Sequence, residues 1–444
     1  MSEVLPKPYF IRTNQEVFSS DVAPTEAEAK ALGGKVEPWL TALMQAEHLN
    51  VLLGSGFSIS LANVAKSKAK GMDLQTLTGD YAAELETTCK RLAEAAGRGK
   101  PNFEDQIRAM QNLIAGLDVM ASGKGPDADA SKELAALRTI HADLLTAFTE
   151  DVLKGEGGIR EAFEKDDEDA SIARRLAAAF VLAFASRTPT RDRLHIFTTN
   201  YDRLIEYLAD LLGLRVVDRF VGMLEPIFRS SRLGIDIHYD PPGIRGEPRY
   251  LEGVMRLTKL HGSLDWRFGS TGTGRPEVYR VPQPFGGAPI AGTQGQQILI
   301  YPNSAKDWET SDYPYADLFR DFAAAVCRPN AVLFTFGYGF GDDHINRHIR
   351  DMLTLSSTHL VIIARSDSGG RISRFLTETC RDEQTTILLG KEIVELPNLV
   401  RYYMPKPAID RHTMRMADLL NRRSPMARPD TGKGGADSPS EAGA

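Results

Sequence analysis

Cysteines are few in this sequence, and long apolar runs are missing. The 444 residues include three cysteines, Cys89, Cys327 and Cys380, and no Cys-x-x-Cys pair. A four-cysteine zinc ribbon therefore cannot be built from this chain, and a disulfide framework has no support. No apolar run approaches the roughly 20 residues needed to cross a bilayer, and the N-terminus lacks the features of a signal peptide. We expect a cytoplasmic protein with no membrane span and no bound metal.

An excess of charge of one sign is also missing. Lys and Arg number 53 and Asp and Glu number 59, a net charge of -6, so no uniformly basic surface for nucleic acid is expected. Hydrophobic residues make up 42% and charged residues 25%, which is ordinary for a soluble globular protein. The chain contains neither a P-loop nor a G-x-S-x-G nucleophile elbow. Its length allows two or three domains, or one large α/β domain with insertions.

Short buried apolar runs alternate along the chain with helical patterns. The runs at 50–53, 194–200, 332–337 and 359–364 predict strands, and weaker strand signals lie at 215–220, 257–260 and 298–301. Helices are predicted at 37–49, 72–96, 103–120, 132–153, 171–186, 317–326 and 342–354. The alternation indicates an α/β fold with a Rossmann-like parallel sheet. Residues 60–190 form a large helical insertion in this interpretation.

The sequence predicts a main domain over 37–367 with smaller units at both ends of the chain. Residues 1–36, which contain several prolines and a Gly-Gly pair, are expected to form an N-terminal arm. A small C-terminal unit is expected over 368–423. Residues 424–444 are predicted to be a disordered tail, because the last twenty residues contain no Leu, Ile, Val, Phe or Tyr.

Two motifs directly follow the first two strong strands. In Gly54-Ser55-Gly56-Phe57-Ser58 the glycines allow the backbone to approach a phosphate or sugar, although a tight strand-to-helix turn explains them equally well. In Thr198-Thr199-Asn200-Tyr201-Asp202, polar side chains follow an apolar strand, and the alternative is a helix N-cap at Asn200 or Asp202. Because parallel sheets bind ligands at the carboxyl ends of their strands, both motifs are candidate site residues.

Three further motifs lie later in the chain. Lys259–Trp266 contains His261, which is either a group that titrates near neutral pH or a structural histidine. Phe336–Ile345 has three alternating glycines and predicts a loop that encloses a ligand. His344 and His348 in its neighbourhood lack the Glu of a metalloprotease motif, so we interpret them as solvated helix residues. Arg365-Ser366-Asp367 ends the last strand and either contacts an adenine or ribose or simply terminates the strand.

In their order across residues 49–367, these segments resemble the sirtuin family of NAD-binding proteins. Asn200-Tyr201-Asp202 and Leu260–Trp266 are most similar to the divergent bacterial branch, whose members act as NAD hydrolases in antiphage defence. Sirtuin deacetylases carry a zinc ribbon between the His-Gly motif and the glycine-rich loop, where this chain has only Cys327. The Gly-Ile-Pro-x-Phe-Arg-like stretch that follows their first glycine turn is also missing. The resemblance therefore implies cleavage of NAD itself, with NAD as substrate and no zinc.

The resemblance also implies a role for each motif. The turn Gly54, Ser55, Gly56, Phe57 and Ser58 would hold the pyrophosphate, the loop with Gly337, Tyr338 and Gly339 the adenosine ribose, and Asp202 the nicotinamide amide, with Thr199 and Asp367 as further NAD contacts. Asn200 is suited to orient a water molecule, because an amide offers a donor and an acceptor. His261 is suited to act as a base on the ribose hydroxyls. The products would be nicotinamide and ADP-ribose.

Unrestrained NAD depletion would kill the host, so the resemblance further implies a controlled effector that acts through abortive infection. Such effectors are activated by oligomerisation or by separate partners, including HerA-type ATPases and short Argonaute proteins. We expect a homo-oligomer with contacts on the helical insertion, and no binding to membranes or nucleic acid. Two alternatives remain open at this point, a non-catalytic module that binds NAD or ADP-ribose, and a protein deacylase.

Overall fold

A computed structural model gives the fold of most of the chain. It describes residues 5 and 7–406, apart from 70, 72, 78, 96–98, 126–127, 188–191, 232–233, 240–248, 271–273, 275, 288–296 and 301–312. The helices are α1 Glu26–Met44, α2 Ser55–Val64, α3 Ala82–Ala95, α4 Phe103–Ala121, α5 Asp129–Glu164, α6 Glu168–Ala185, α7 Leu204–Leu212, α8 Tyr315–Val326, α9 Asp343–Leu353, α10 Arg371–Thr379, α11 Lys391–Val394 and α12 Leu396–Asn398. A 3-10 helix at Asp382–Gln384 and a π-helix at Leu399–Tyr403 complete the helical elements of the described residues.

The strands form a large central sheet and two smaller sheets. They are β1 Tyr9–Arg12, β2 Glu16–Ser20, β3 His48–Leu53, β4 Leu194–Thr198, β5 Arg215–Val217, β6 Phe220–Val221, β7 Ile227–Phe228, β8 His238–Tyr239, β9 Arg249–Tyr250, β10 Val254–Lys259, β11 Gly262–Ser270, β12 Pro276–Arg280, β13 Gln297–Ile300, β14 Ala331–Phe336, β15 His359–Ala364 and β16 Thr385–Leu389. The nine-stranded sheet has the order β2-β1-β16-β15-β14-β3-β4-β10-β5. The five-stranded sheet has the order β13-β11-β12-β7-β6, and β8 pairs with β9.

The central sheet is parallel except at one edge. Strand β1 runs antiparallel to β16 and β2 runs antiparallel to β1, whereas the other neighbours in this sheet are parallel. The strand order reverses at β3, which lies between β14 and β4. Open α/β sheets bind their ligands at the carboxyl ends of the strands beside such a reversal. The predicted α/β class with a Rossmann-like parallel sheet is confirmed.

Helices cover both faces of this sheet, which explains why its inner strands are apolar throughout. On one face Phe57, Phe180 and Phe336 belong to the core that α1, α2, α6 and α7 share with the sheet. On the other face Phe322 and Ile349 belong to the core formed with α8, α9 and α10. The buried strands β3, β4, β14 and β15 therefore read in the sequence as continuous hydrophobic runs rather than as alternating patterns.

The predicted helical insertion is confirmed: after α2, the four helices α3 to α6 lie between β3 and β4. Helices α3, α4 and α5 have their own core, to which Tyr201 and Leu264 of the main domain also belong. Helix α5 is longer than predicted, because its glycines do not end it. Gly157 instead lies against the backbone of Gly286. A Cβ added to Gly286 would be only 2.6 Å from the Gly157 Cα.

The predicted N-terminal arm is wrong for the described residues. Strands β1 and β2 extend the sheet next to β16, and Thr25 and Glu28 form a capping box that starts α1 within the expected arm. The Gly-Gly pair does not break α1, because Gly33 lies against the carbonyl oxygen of Tyr402. The expected C-terminal unit is likewise part of the main fold up to residue 406, since β16 pairs with β15. Residues 407–423 and the predicted disordered tail lie outside the described residues.

In the part of the chain that the structure describes, no helix is both long enough and apolar enough to cross a membrane.

Candidate active site

Four strands of the central sheet end side by side, and the motifs follow them. Leu53 pairs with Phe336 on one side and with Thr198 on the other, and Thr198 pairs with Lys259. The loops after β3, β4, β10 and β14 therefore meet at one edge, where they surround a cleft of about 960 Å³ that is partly open to solvent. Its lining includes Gly54, Ser55, Ser58, Thr199, Asn200, Tyr201, Asp202, His261, Gly337, Tyr338, Gly339, Gly341, Asp342 and Arg371.

The first glycine turn packs backbone to backbone on the glycine-rich loop. The Gly56 amide donates to the Gly337 carbonyl over 3.2 Å, and the Gly54 amide donates to the Phe336 carbonyl over 3.0 Å. Gly337 has a φ of +64°, and a Cβ on it would lie 2.5 Å from the Gly56 Cα. The glycines thus serve the tight packing of two loops, in addition to the tight strand-to-helix turn between β3 and α2. Ser55 and Ser58, at the start of α2, are the residues of this turn that face the cleft together with Gly54.

Phe57 does not line the cleft, although it belongs to the predicted binding turn. Its side chain is 1% exposed and packs in the core, with its ring centroid 5.2 Å from that of Phe180 and 6.1 Å from that of Phe336. The residue holds α2 against the sheet. We therefore correct its expected role from a contact with NAD to a support of the turn.

Substitution of Gly337 by alanine is expected to destabilise the fold through the contact with Gly56. The left-handed conformation alone costs an alanine about 1–2 kcal/mol, and a forced overlap in a packed region adds about 1–3 kcal/mol. Gly369 is the matched control, because its φ is +73° and a Cβ there meets no described atom within 4 Å beyond its chain neighbours. Denaturant unfolding of Gly337→Ala and Gly369→Ala measures the difference. Equal losses in the two variants would show that the loop contact contributes nothing.

Asn200 is held in place by the glycine turn. Its Nδ2 donates to the Gly54 carbonyl and to the Ser58 hydroxyl, each over 3.0 Å, and its backbone amide donates to the Thr198 hydroxyl over 3.0 Å. The Ser58 hydroxyl donates in turn to Asp202 Oδ2 over 2.7 Å. With both hydrogens of the amide nitrogen committed, the oxygen Oδ1 is the side-chain atom of Asn200 that can accept a hydrogen bond from a ligand or a water molecule.

Asp202 contacts both the start of α7 and the cleft. Its Oδ1 accepts from the amide of Leu204, the first residue of α7, over 3.1 Å, although the N-cap position itself is Arg203, and Asp202 also lines the cleft. Burial raises the pKa of Asp202 above its usual value, and the Lys259 ammonium and the Ser58 hydroxyl oppose that shift. Lys259 is 2% exposed; it donates to the Asp202 backbone carbonyl and to Glu206 Oε1, the latter over 3.1 Å. This buried cation holds the segment after β4 against β10.

His261 lies between two carboxylates from different parts of the chain. Its Nε2 is 2.8 Å from Asp342 Oδ2, within hydrogen-bond distance. Its Nδ1 is 3.7 Å from Glu104 Oε1, and Glu104 belongs to α4 of the helical insertion. The side chain is buried but lines the cleft. A histidine that is oriented by one carboxylate through one ring nitrogen is the arrangement used for general bases.

The loop after β14 presents backbone and glycines to the cleft and fixes Asp342 behind them. Asp342 caps α9 by accepting from the His344 amide over 3.3 Å, so both of its carboxylate oxygens are used. The buried Tyr338 hydroxyl lies 3.1 Å from the Asp342 carbonyl and 3.0 Å from Asn346 Oδ1, and its single hydrogen is shared between these two acceptors. These bonds anchor the loop that carries Gly337 and Gly339.

The interpretation of His344 as a solvated residue is wrong. Its side chain is buried against Phe319, with the ring centroids 5.8 Å apart. His348 is half-buried, and burial lowers its pKa. Among the described residues, no group of three or more His, Cys, Asp or Glu side chains is placed to hold a metal ion.

Asp367 is separated from the other predicted site residues. It does not line the cleft, and both of its carboxylate oxygens bond to Ser373, at 2.8 Å to the amide and 2.6 Å to the hydroxyl. It caps α10, which corresponds to the alternative of a simple strand end. A cationic side chain on the same helix, Arg371, instead lines the cleft and donates from Nε to the Gly339 carbonyl over 2.7 Å.

Several residues that line the cleft were not predicted as site residues from the sequence. Arg371 and Asp342 come from helix starts, and the helical insertion contributes Gly71, Asn102, Glu104, Phe148 and Val152. Asp342 was visible as an acidic residue at a helix start, but its bond to His261 depends on the pairing of strands far apart in sequence. The insertion is therefore a wall of the cleft.

Part of the chain around this cleft is similar to a known protein family. Residues 194–384 match the model of the SIR2-like domain. SIR2-like domains use NAD. The match begins with β4 and ends with the 3-10 helix, so it includes Asn200, His261 and the glycine-rich loop. It supports the sirtuin-like resemblance, while comparison with curated proteins gave no match. The turn at Gly54 and the helical insertion lie outside the SIR2-like match, yet they complete its cleft.

Proposed function

We propose that this protein is an NAD hydrolase that cleaves the N-glycosidic bond of NAD and releases nicotinamide and ADP-ribose. The observation that carries the proposal is the convergence of Asn200 and His261 beside the start of α2 at the reversal point of the sheet. An amide fixed through its nitrogen and a histidine fixed by a carboxylate are suited to water activation and proton uptake. The SIR2-like match supports NAD as the substrate.

The reaction needs little nucleophilic power and much positioning. Nicotinamide leaves with the electron pair of the broken bond and is neutral, so positive charge develops on the ribose. Asn200 Oδ1 would orient the water that attacks the ribose carbon. His261 would take up a proton from a ribose hydroxyl and so stabilise the developing charge. The new carbon–oxygen bond comes from water, one proton is released, and ADP-ribose is formed.

Arg371 is expected to contribute to NAD affinity. Among the described residues that line the cleft, it alone is a lysine or arginine and so carries a positive charge. The start of α2 supplies a second attraction for phosphate, since helix N-termini favour anions. Arg371→Ala should raise KM for NAD by about tenfold with a smaller change in kcat. Arg374, exposed on the same helix, is the matched control. Steady-state kinetics compare the two, and a change in KM as large in Arg374→Ala would contradict the assignment.

The proposal is tested by incubating the full chain with NAD and measuring nicotinamide and ADP-ribose. Three arms are compared: the chain alone, the chain with the protein encoded by the neighbouring gene, and the chain with an acetyl-lysine peptide. Equal amounts of both products without peptide are expected. Binding of NAD with no turnover in any arm would favour the alternative of a non-catalytic NAD or ADP-ribose module. Product formation that requires the peptide would favour a deacylase.

A hydrolase of this kind depletes NAD, so we also propose that it is a controlled effector of antiphage defence. The support is the resemblance to the divergent bacterial branch. In this proposal the chain forms homo-oligomers and is activated by a separate partner, with a HerA-type ATPase or a short Argonaute as the first candidates. Co-purification with the product of the neighbouring gene, followed by the nicotinamide assay, tests the partner.

A further inference from the structure

The helical insertion carries an acidic side chain into the cleft beside His261. Glu104 lies in the first turn of α4 and lines the cleft together with Asn102. Its Oε1 is 3.7 Å from His261 Nδ1 and 3.5 Å from the Tyr201 hydroxyl. The first distance is within ion-pair range and outside hydrogen-bond range. Glu104 is therefore near enough to interact with a charge on the imidazole without fixing the neutral ring.

The position of Glu104 is determined by its neighbours on α4. Asn102 and Asp105 form a reciprocal capping box, with bonds of 3.1 Å and 3.0 Å, which fixes the backbone of the first turn. Phe103 is fully buried and stacks on Phe148, with the ring centroids 4.1 Å apart. Phe148 in turn meets the edge of Tyr201, at 5.6 Å between centroids. This aromatic column connects the start of α4 directly to the Asn200-Tyr201-Asp202 motif.

A carboxylate faces each of the two ring nitrogens of His261. Asp342, from the loop before α9, bonds to Nε2, and Glu104, from α4, faces Nδ1. Tyr201, from the segment after β4, is a further titratable group beside the ring, and burial raises its pKa far above the usual value, so it stays neutral. A neutral imidazole has one N–H and needs one acceptor, whereas an imidazolium has two. The second carboxylate therefore matches the protonated ring.

We propose that Glu104 is a positioning residue of the NAD hydrolase, which stabilises His261 in its protonated form during the reaction. The inference rests on the proposed function. When His261 accepts a proton from the ribose hydroxyl, the Nδ1 side gains an N–H that faces Glu104, and the proton returns to the hydroxyl when the products leave. The bond from ribose to nicotinamide breaks in the same step, with its electron pair going to nicotinamide. The insertion thus completes the chemistry of the SIR2-like part as well as its cleft.

The test is Glu104→Gln, which removes the charge and keeps the shape. We expect kcat to fall about 10- to 100-fold, with KM for NAD changed by less than about twofold. The acid limb of the pH–rate profile should move to lower pH by about one unit, since the protonated ring has lost a stabilising charge. Glu133→Gln is the matched control, because Glu133 also lies in the insertion and accepts from a tyrosine hydroxyl, that of Tyr81 at 2.9 Å.

A second variant separates this role from a structural one. Glu104→Asp retains the charge, so its acid limb should stay where the wild type has it even if the plateau rate falls. Wild-type kinetics in Glu104→Gln would overturn the inference while leaving the hydrolase intact. A lower melting temperature and higher KM with an unmoved acid limb would also overturn it, because they indicate a structural role. If the wild type releases no nicotinamide in any arm of the assay above, the proposed function fails first and the role of Glu104 with it.

Discussion

Asn200→Ala is expected to lower the rate of nicotinamide release by about 10²- to 10³-fold while the protein stays folded. The physical reason is that Nδ2 bonds to the Gly54 carbonyl and the Ser58 hydroxyl, so that Oδ1 has one fixed direction in which to accept a hydrogen bond. Alanine leaves the water without that acceptor. The measurement is kcat at saturating NAD, together with NAD affinity by calorimetry, which should change little.

The matched control for Asn200 is Asn50, a second buried asparagine at the middle of β3. Its Nδ2 also donates to a backbone carbonyl, that of Ala325 over 3.3 Å, but it lies away from the cleft. Asn50→Ala should lose a similar amount of stability and retain the rate. Equal rates in Asn200→Ala and the wild type would remove Asn200 from the mechanism. Equal losses of rate in both asparagine variants would attribute the effect to folding.

His261→Ala is the second large effect, and we expect a 10²- to 10⁴-fold loss of kcat, about the size of general acid–base catalysis. In the proposed reaction the ring takes up a proton from the ribose, and Asp342 Oδ2 lies 2.8 Å from its Nε2. The rate should also lose its dependence on pH along the acid limb. A pH–rate profile of the variant, read against the wild type, checks both expectations.

His359 is a suitable control for His261, because it too bonds through Nε2, to the Thr386 hydroxyl over 2.8 Å. Burial lowers its pKa to about 4, so it stays neutral across the assay range. His359→Ala should leave the pH–rate profile unchanged. The double variant of His261→Ala with Asp342→Asn adds a further check. The loss of kcat in the double variant should equal that in His261→Ala alone, since Asp342 acts through the ring.

The location of the site was predictable from the sequence because of where the polar motifs stand. Each of the turns at Gly54, Thr199, His261 and Gly337 directly follows an apolar run that is long enough for one buried strand. Parallel strands with helical crossovers all present their carboxyl ends to one edge, so the four turns had to meet. The same reasoning predicted α4 closely, because the apolar positions of an amphipathic helix repeat at a fixed spacing.

The remaining residues could not be found in that way, because their positions depend on tertiary contacts. Glu104 looks like any acidic residue in a first helical turn, and only the packing of Phe103 on Phe148 directs it to the cleft. His344 looked solvated because it neighbours acidic residues, whereas the face of α9 that carries it is turned to α8. Phe57 and Asp367 lie within or beside recognisable motifs, but one supports the core and the other caps a helix.

The contact between Gly56 and Gly337 has a consequence for how related chains can diverge. Their backbones are so close that a side chain on either one displaces the other loop. Changes at the two positions are therefore coupled, and a chain that acquires a larger residue at one must lengthen or reroute the loop at the other. Among distant relatives we expect these two positions to covary, together with the length of the segment after β14. That covariation would identify the same pair of loops in chains too diverged for their short motifs to be recognised.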